Sequence, residues 1–133
     1  MAQVNRATGT FELASTSQPY DEGEGARLFR SSYSKTFRGD IEATSSVEVL
    51  RAMAETVGSG GYVGIERVTG AVQGRSGSFV LQHSGTMARG QLSHAVTVVP
   101  DTGTGQLRGI RGEMTITVAD GKHEYSFDYA LDA

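Results

Sequence analysis

The chain has 133 residues, a size that suits one domain, and it contains 18 glycines but only 2 prolines. Glycine is about twice as frequent as its usual ~7% share, which is typical of short connections between extended segments rather than of helices. The absence of cysteine excludes disulfides, thiolate metal sites and cysteine nucleophiles. Because the net charge is −3 and no basic run is present, we expect no nucleic-acid partner.

Targeting and membrane segments are not evident in the sequence. The first nine residues show no charged segment followed by an apolar one, so they do not resemble a secretory signal. No apolar stretch approaches the ~20 residues that a bilayer-spanning helix needs. We therefore expect a cytoplasmic protein without a membrane partner.

Period-2 alternation of apolar and polar residues recurs along the chain and predicts β-strands. The first strand is predicted near residues 6–13. Two long strands follow over residues 26–38 and 41–53, with Gly39-Asp40 between them. Alternation in this pair is imperfect, which predicts bulges or strong coiling.

Two turn dipeptides predict the register of later hairpins. Gln73-Gly74 joins residues 61–72 to 75–86 and sets Glu66 opposite Leu81. Asp120-Gly121 is the stronger indication, because a type I′ turn needs positive φ at both central residues.

The Asp120-Gly121 turn predicts Ile116 opposite Tyr125 and Met114 opposite Phe127. In that register all the apolar residues of the last hairpin share one face, and all the charged residues share the other.

Eight sequential antiparallel strands are predicted in all, over a single domain of residues 1–133, with at most single helical turns at 53–60 and 106–109. Such strands bury their apolar faces either as a sandwich or as an up-and-down barrel. A barrel removes the edges and suits long coiled strands. We predict an all-β fold, an eight-stranded antiparallel up-and-down β-barrel, whose interior is filled by side chains or shaped for one small ligand.

The most distinctive stretch is residues 101–112, Asp-Thr-Gly-Thr-Gly-Gln-Leu-Arg-Gly-Ile-Arg-Gly. Its four glycines predict positive φ or close backbone approach. A dinucleotide-binding motif is excluded because the glycines precede a strand, and a P-loop is excluded because no Gly-Lys-Ser/Thr follows. We expect no cofactor.

This stretch resembles the Gly-Thr-Gly-x-Leu/Phe-x-Gly-x-Arg-Gly signature of allene oxide cyclase-like and dirigent-like barrels. Further matching segments lie at residues 6–12, 37–42, 63–70 and 74–85. With them, the chain is identified as a member of the bacterial family called domain of unknown function 3224 (DUF3224). The resemblance implies an allene oxide cyclase-like barrel of eight strands that assembles with itself. It implies no activity, and no catalytic residue of the plant cyclases is carried over.

Register arithmetic places polar residues on the inward face. Glu66 and His83 become diagonal neighbours with backbones about 7 Å apart, within side-chain reach. If residues 87–90 form a four-residue loop, His83 pairs with His94. Two histidines and a carboxylate then converge in an apolar wall, where burial raises the pKa of Glu66 unless a protonated histidine pairs with it.

Three interpretations of this cluster stay open. It is a hydrogen-bonded structural cluster, a general acid/base pair, or a group that orients the polar end of a carried ligand. Two histidines and a carboxylate are also ligand types for non-haem iron. The inferred spacing does not favour such a site, so no metal is predicted.

Three functions follow from these interpretations. The first is a barrel that holds a small hydrophobic molecule in its lumen. The second is a cofactor-free isomerase or cyclase that acts on an apolar substrate through Glu66 with His83 or His94. The third is a structural module whose homo-oligomer surface is the functional part. The predicted lumen lining is Phe11, Leu13, Tyr62, Phe79, Leu81, Tyr125, Phe127 and Tyr129.

Overall fold

The protein forms a closed β-barrel in a computed structural model that describes residues 3–131. Residues 1 and 2 of the N-terminal segment considered for targeting lie outside the described residues. The elements are β1 (Asn5–Asp21), β2 (Ala26–Gly39), β3 (Ile41–Ala54), β4 (Gly60–Val72), β5 (Arg75–Ala88), β6 (Gln91–Val98), a 3₁₀ turn η1 (Gly105–Leu107), β7 (Arg111–Ala119) and β8 (Lys122–Ala130).

Each of these strands pairs antiparallel with its neighbour in chain order, and β8 returns to pair with β1. The predicted fold class, an eight-stranded antiparallel up-and-down barrel, is confirmed. Within residues 3–131, no helix is long and apolar enough to cross a membrane.

The two hairpins predicted from turn dipeptides are confirmed in register. Asp120 and Gly121 both have positive φ, 51° and 75°, and Ile116 pairs with Tyr125. Gln73-Gly74 sets Glu66 opposite Leu81. In both hairpins a two-residue turn with left-handed φ values joins strands of normal twist.

The register predicted between β5 and β6 is wrong by two residues. The connection is the two-residue turn Arg89-Gly90, with φ values of 50° and 90°, and not a four-residue loop. His83 therefore pairs with Val96, and His94 pairs with Gly85. The turn was not anticipated because arginine seldom adopts positive φ. Because side chains alternate between the two faces of a strand, this two-residue difference in register leaves His94 pointing inward. It places His94 two positions farther along the strand pair from His83 than predicted.

Of the two features predicted for the pair β2 and β3, bulges or strong coiling, no bulge is present, because the strands stay in one register from Ala26 to Phe37. A register shift lies instead between β1 and β2, at Pro19 and Asp21. Alternation is imperfect in β2 and β3 because inward positions carry polar residues such as Lys35, while the outward Leu50 is apolar. Of the two predicted helical turns, only the one near η1 is present within the described chain.

One end of the barrel is closed by the glycine-rich segment. Leu107 and Ile110 of this segment are buried against the core. Gly105 has a φ of 58°, and a Cβ at Gly103 would lie 2.0 Å from the carbonyl oxygen of Leu107. Both predicted roles of glycine, positive φ and close backbone approach, are confirmed here.

The packed core fills the half of the barrel next to this segment. Phe127 stacks between Phe79 and Tyr129, with ring centroids 5.6 and 5.2 Å away. The Tyr125 hydroxyl accepts a hydrogen bond from the Ile41 N–H at 2.8 Å, which satisfies two buried polar groups at once.

The other end of the barrel has an uneven rim. Strands β1 to β5 have 13 to 17 residues, whereas β6 to β8 have 8 or 9. The long strands therefore extend past the short ones, and side chains at their far ends surround an open half. We call these two parts of the barrel the closed half and the open half.

Candidate functional site

A layer of polar side chains lies where the closed half meets the open half. On each of β2 to β5, the inward position next after the packed core is polar. We call these four residues the polar layer. They are Lys35 after Phe37, Ser45 after Ala43, Glu66 after Val68 and His83 after Leu81.

Glu66 is the centre of the polar layer and is fully buried. Its Oε1 accepts hydrogen bonds from Lys35 Nζ at 3.2 Å and from His83 Nε2 at 2.6 Å. Its Oε2 accepts one from Ser45 Oγ at 2.6 Å. The predicted side-chain reach between Glu66 and His83 is thus confirmed, and every oxygen of the carboxylate has a partner.

The carboxylate of Glu66 is held in its charged form. Burial by itself raises the pKa of Glu66, but the His83 hydrogen bond, the positive charge of Lys35 and the Ser45 hydrogen bond together outweigh it. The net effect lowers the pKa of Glu66 below its usual value. Lys35 gains a second stabilising contact, since its Nζ lies 4.6 Å from the centroid of the Phe11 ring.

A cavity of about 360 Å³ lies in the open half, above the polar layer. Both Lys35 and His83 contribute to its surface, whereas Glu66 is behind them and does not. The apolar part of its wall is formed by Phe11, Leu13, Val47, Val49 and Ile116.

The wall of the cavity carries basic side chains and no acidic ones. Its basic residues are Lys35, Arg51, His83 and His123, and no aspartate or glutamate lines it within the described chain. Arg51 donates from Nη2 to Ser17 Oγ at 3.3 Å, and its guanidinium lies 5.8 Å from the Phe29 ring centroid.

Two tyrosines, Tyr33 and Tyr62, complete the lining. Tyr62 is possible in this position only because Gly85 faces it, since a Cβ there would lie 2.5 Å from the tyrosine ring. Burial, and to a lesser extent the neighbouring Tyr33, raise the pKa of Tyr62, so its phenol stays protonated and can donate a hydrogen bond.

The eight residues predicted to line the lumen fall into two groups. Phe11, Leu13 and Tyr62 line the cavity. The other five are buried in the closed half and do not contribute to the cavity wall. They are Phe79, Leu81, Tyr125, Phe127 and Tyr129.

His94 is separated from the cluster it was predicted to join. It is exposed, and it borders a larger, shallower depression of about 560 Å³ at the rim of the open half. In residues 3–131, no three histidine or acidic side chains are grouped so that they could hold a metal ion.

Sequence reasoning missed the residues that make the cavity polar and basic. Lys35 interrupts an inward series between Tyr33 and Phe37, and a lysine in such a position is itself an indication of a buried partner. Ser45 and Arg51 offered no comparable indication. Their inward orientation depends on the register between β2 and β3, which the sequence did not determine.

These features define a class of protein: a small closed barrel with one packed end and one ligand-sized cavity at the other. The chain belongs to the family described as "Protein of unknown function (DUF3224)", whose model matches residues 7–129. It is similar to a solved structure described as a protein with unknown function from the DUF3224 family of Shewanella oneidensis MR-1. The two share 39% identity with a TM-score of 0.89, over 98% of this chain and 100% of that one. No curated protein matches the chain.

Proposed function

We propose that the barrel binds a small, mainly hydrophobic molecule in its open half. The observation that carries the proposal is the cavity of about 360 Å³, whose wall combines five apolar side chains with a few polar groups. Ligand sites in proteins commonly have this composition and start at about 300 Å³. If each non-hydrogen atom occupies about the ~30 Å³ of a liquid water molecule, the cavity suits a ligand of about a dozen such atoms.

The proposal is tested by blocking the cavity. Val49 points into it, and its neighbour Leu50 points outward and is half exposed. We expect native mass spectrometry of the purified wild-type chain to reveal a bound small molecule. The Val49→Phe variant should lose that molecule, whereas Leu50→Phe, the matched control, should retain it. Retention by a folded Val49→Phe variant would place the molecule elsewhere and contradict the proposal.

A second candidate function is a cofactor-free isomerase or cyclase, and it is favoured by the 2.6 Å contact between His83 and Glu66. His83 both lines the cavity and is held by a buried carboxylate. In this arrangement His83 takes a proton from the bound substrate and returns it to another atom, so that no cofactor is consumed. Glu66 stabilises the imidazolium and acts as a positioning residue, since it does not reach the cavity.

The catalytic candidate is tested on the compound that mass spectrometry identifies. We expect His83→Ala to abolish any conversion, and Glu66→Gln, measured as a folded protein at saturating ligand, to lower kcat. A His94→Ala variant decides between the two histidines. If conversion continues unchanged in both the His83→Ala and Glu66→Gln variants, it does not depend on this pair and the catalytic candidate is excluded; if the wild type converts nothing, the barrel is a carrier.

Self-association of the barrel stays a prediction, and so does a cytoplasmic location. We propose that a second copy would bind at the outer face of β3 and β4, where Leu50, Val63 and Ile65 are about half exposed. The salt bridge between Arg30 and Glu48 lies beside this patch. In a two-fold dimer each Arg30 can therefore face a Glu48 of the other copy. Sedimentation velocity should show a dimer for the wild type and a monomer for Ile65→Glu; a wild-type monomer at all concentrations contradicts the proposal.

A further inference from the structure

We infer that the ligand of this cavity carries a carboxylate, and that this carboxylate binds Arg51. The inference rests on the proposed function, because it names the chemistry of the molecule that the open half would hold. The observation that supports it is the position of the Arg51 guanidinium, which lies at one end of the apolar cavity without a countercharge. Within the described chain, no acidic residue lines the wall of this cavity.

Arg51 has a hydrogen-bond donor without a partner. Its Nε is buried and, among the described residues, has no acceptor within hydrogen-bonding distance. A buried donor in this state costs free energy of desolvation that an acceptor on a ligand would recover. The adjacent Nη2 has only the 3.3 Å contact with Ser17 Oγ, which is a long hydrogen bond to an uncharged acceptor.

The other cavity-lining cation differs from Arg51 in this respect. Lys35 has a countercharge in Glu66, at 3.2 Å. No carboxylate of the described residues forms a salt bridge with Arg51. With Lys35 and Glu66 neutralising each other, Arg51 leaves the cavity with an excess positive charge. This electrostatic situation favours an anionic ligand over a neutral or cationic one.

The shape of the guanidinium selects a carboxylate among anions. Nε and one Nη form a planar fork that matches the two oxygens of a carboxylate, which accepts both hydrogen bonds at once. The guanidinium carbon lies 5.8 Å from the centroid of the Phe29 ring, within the range of a cation–π contact. Because Nε is buried, the guanidinium must turn toward the cavity and break the long bond to Ser17 before the carboxylate can bind both nitrogens.

The position of Arg51 also predicts how the ligand is oriented. Arg51 follows Ser45 by six positions on β3, so their backbones are about 20 Å apart at ~3.3 Å per residue. The carboxylate would therefore lie near the rim, and the apolar body would extend past Val47 and Val49 toward the polar layer. A polar atom at the far end of the ligand would meet Lys35 and His83.

The inference is tested with three probes that share a ten-carbon chain and differ in their polar end: decanoate, 1-decanol and decylammonium. Decanoate has about a dozen non-hydrogen atoms, the number estimated above for this cavity. Isothermal titration calorimetry on the wild-type chain should show decanoate binding at least tenfold more tightly than either other probe, because charge-assisted hydrogen bonds have about this effect on affinity.

Variants of Arg51 locate the carboxylate. Arg51→Gln should weaken decanoate binding by about tenfold or more and weaken 1-decanol binding much less. Arg51→Lys keeps the charge but loses the fork, so it should restore only part of the affinity. Arg27→Gln is the matched control, since Arg27 also lies over Phe29, at 5.1 Å, but is exposed, pairs with Glu22 and does not line the cavity.

The outcomes separate this inference from the proposed function. If all three probes bind equally, or 1-decanol binds best, the carboxylate inference is wrong and the hydrophobic site stands. If none of them binds, the proposed function fails for ligands of this size and the inference fails with it. If decanoate is preferred but Arg51→Gln binds it as tightly as wild type, the anion has another partner and the assignment to Arg51 is wrong.

Discussion

Replacing Glu66 by glutamine tests whether the polar layer stabilises the barrel as the structure indicates. Glutamine has nearly the same shape, but it has one carbonyl oxygen where the carboxylate has two accepting oxygens. Three donors, Lys35 Nζ, His83 Nε2 and Ser45 Oγ, now point at the side chain. At least one of them would meet the amide NH₂ group, which is itself a donor, and only the Ser45 hydroxyl could turn to accept from it.

The larger loss is the countercharge of Lys35. The side chain of Lys35 is only 7% exposed, so solvent cannot replace Glu66 as its partner. Removing one member of a buried ion pair typically costs about 3–5 kcal/mol, and we expect Glu66→Gln to lower the free energy of unfolding by that amount. Because small domains are stable by only about 5–15 kcal/mol, the variant should be visibly less stable at room temperature.

Urea unfolding followed by circular dichroism measures this effect, with the m-value checked for constancy. The double variant Lys35→Met with Glu66→Gln removes both charges. It should be less destabilised than the sum of the single variants by about 2 kcal/mol, since the two residues are in direct contact. Glu48→Gln is the matched control, because Glu48 pairs with Arg30 in solvent, where an ion pair contributes little. If Glu66→Gln costs no more than Glu48→Gln, our account of the polar layer is wrong.

Three further predictions follow from individual contacts. The pKa of Glu66 is lowered in the folded state, so the charged carboxylate contributes fully to the free energy of unfolding above the ordinary pKa of about 4.5. This contribution is lost as the pH falls through the folded-state pKa. Acid titration should therefore destabilise the wild type more steeply than Glu66→Gln. Phe127→Ala removes a ring stacked on two others and should lower the free energy of unfolding by about 3–5 kcal/mol in urea. In Gly85→Ala the new Cβ would lie 2.5 Å from Tyr62, so we expect a loss of about 1–3 kcal/mol together with weaker binding of decanoate. If the Gly85→Ala variant binds decanoate and unfolds like the wild type, the Tyr62 ring can adopt another rotamer and our interpretation of Gly85 is wrong.

The register of the barrel could be predicted wherever the turn chemistry was unambiguous. Asp120-Gly121 and Gln73-Gly74 adopt positive φ at both central positions, and the strands on either side pair as the turns require. The proximity of Glu66 and His83 could be predicted for the same reason, because the Gln73-Gly74 turn alone sets the register of the two strands that carry them. The Arg89-Gly90 turn adopts the same geometry with a residue that gives no indication of it, and the position of His94 was therefore wrong.

The basic lining of the cavity could not be predicted, for a different physical reason. Phe37 pairs with Ala43, whereas a two-residue turn at Gly39-Asp40 would pair it with Glu42. A difference of one residue in register exchanges the two faces of a strand. In β2 and β3 the alternation of apolar and polar residues does not reveal such an error. The polar Lys35 and Ser45 point inward here, and the apolar Leu50 points outward.

The polar layer explains both the register of the long strands and the place of the cavity. Each of its four side chains comes from a different strand, so a one-residue slip of β2, β3 or β5 would turn one partner of Glu66 to the outside, and a slip of β4 would turn out Glu66 itself. A buried network that is fully satisfied only in one register penalises the alternatives, which is the best-attested use of such groups.

Above this layer the inward positions of β4 and β5 continue with Gly64 and Gly85, which leave space that larger side chains would fill. Gly85 gives that space to the Tyr62 ring, and Gly64 stands opposite His83. The open half is therefore empty because of its sequence and not because its packing is poor. Filling it with apolar residues would remove the cavity and leave the already buried Arg51 Nε without any prospect of an acceptor, so the empty half is consistent with the anionic ligand inferred above.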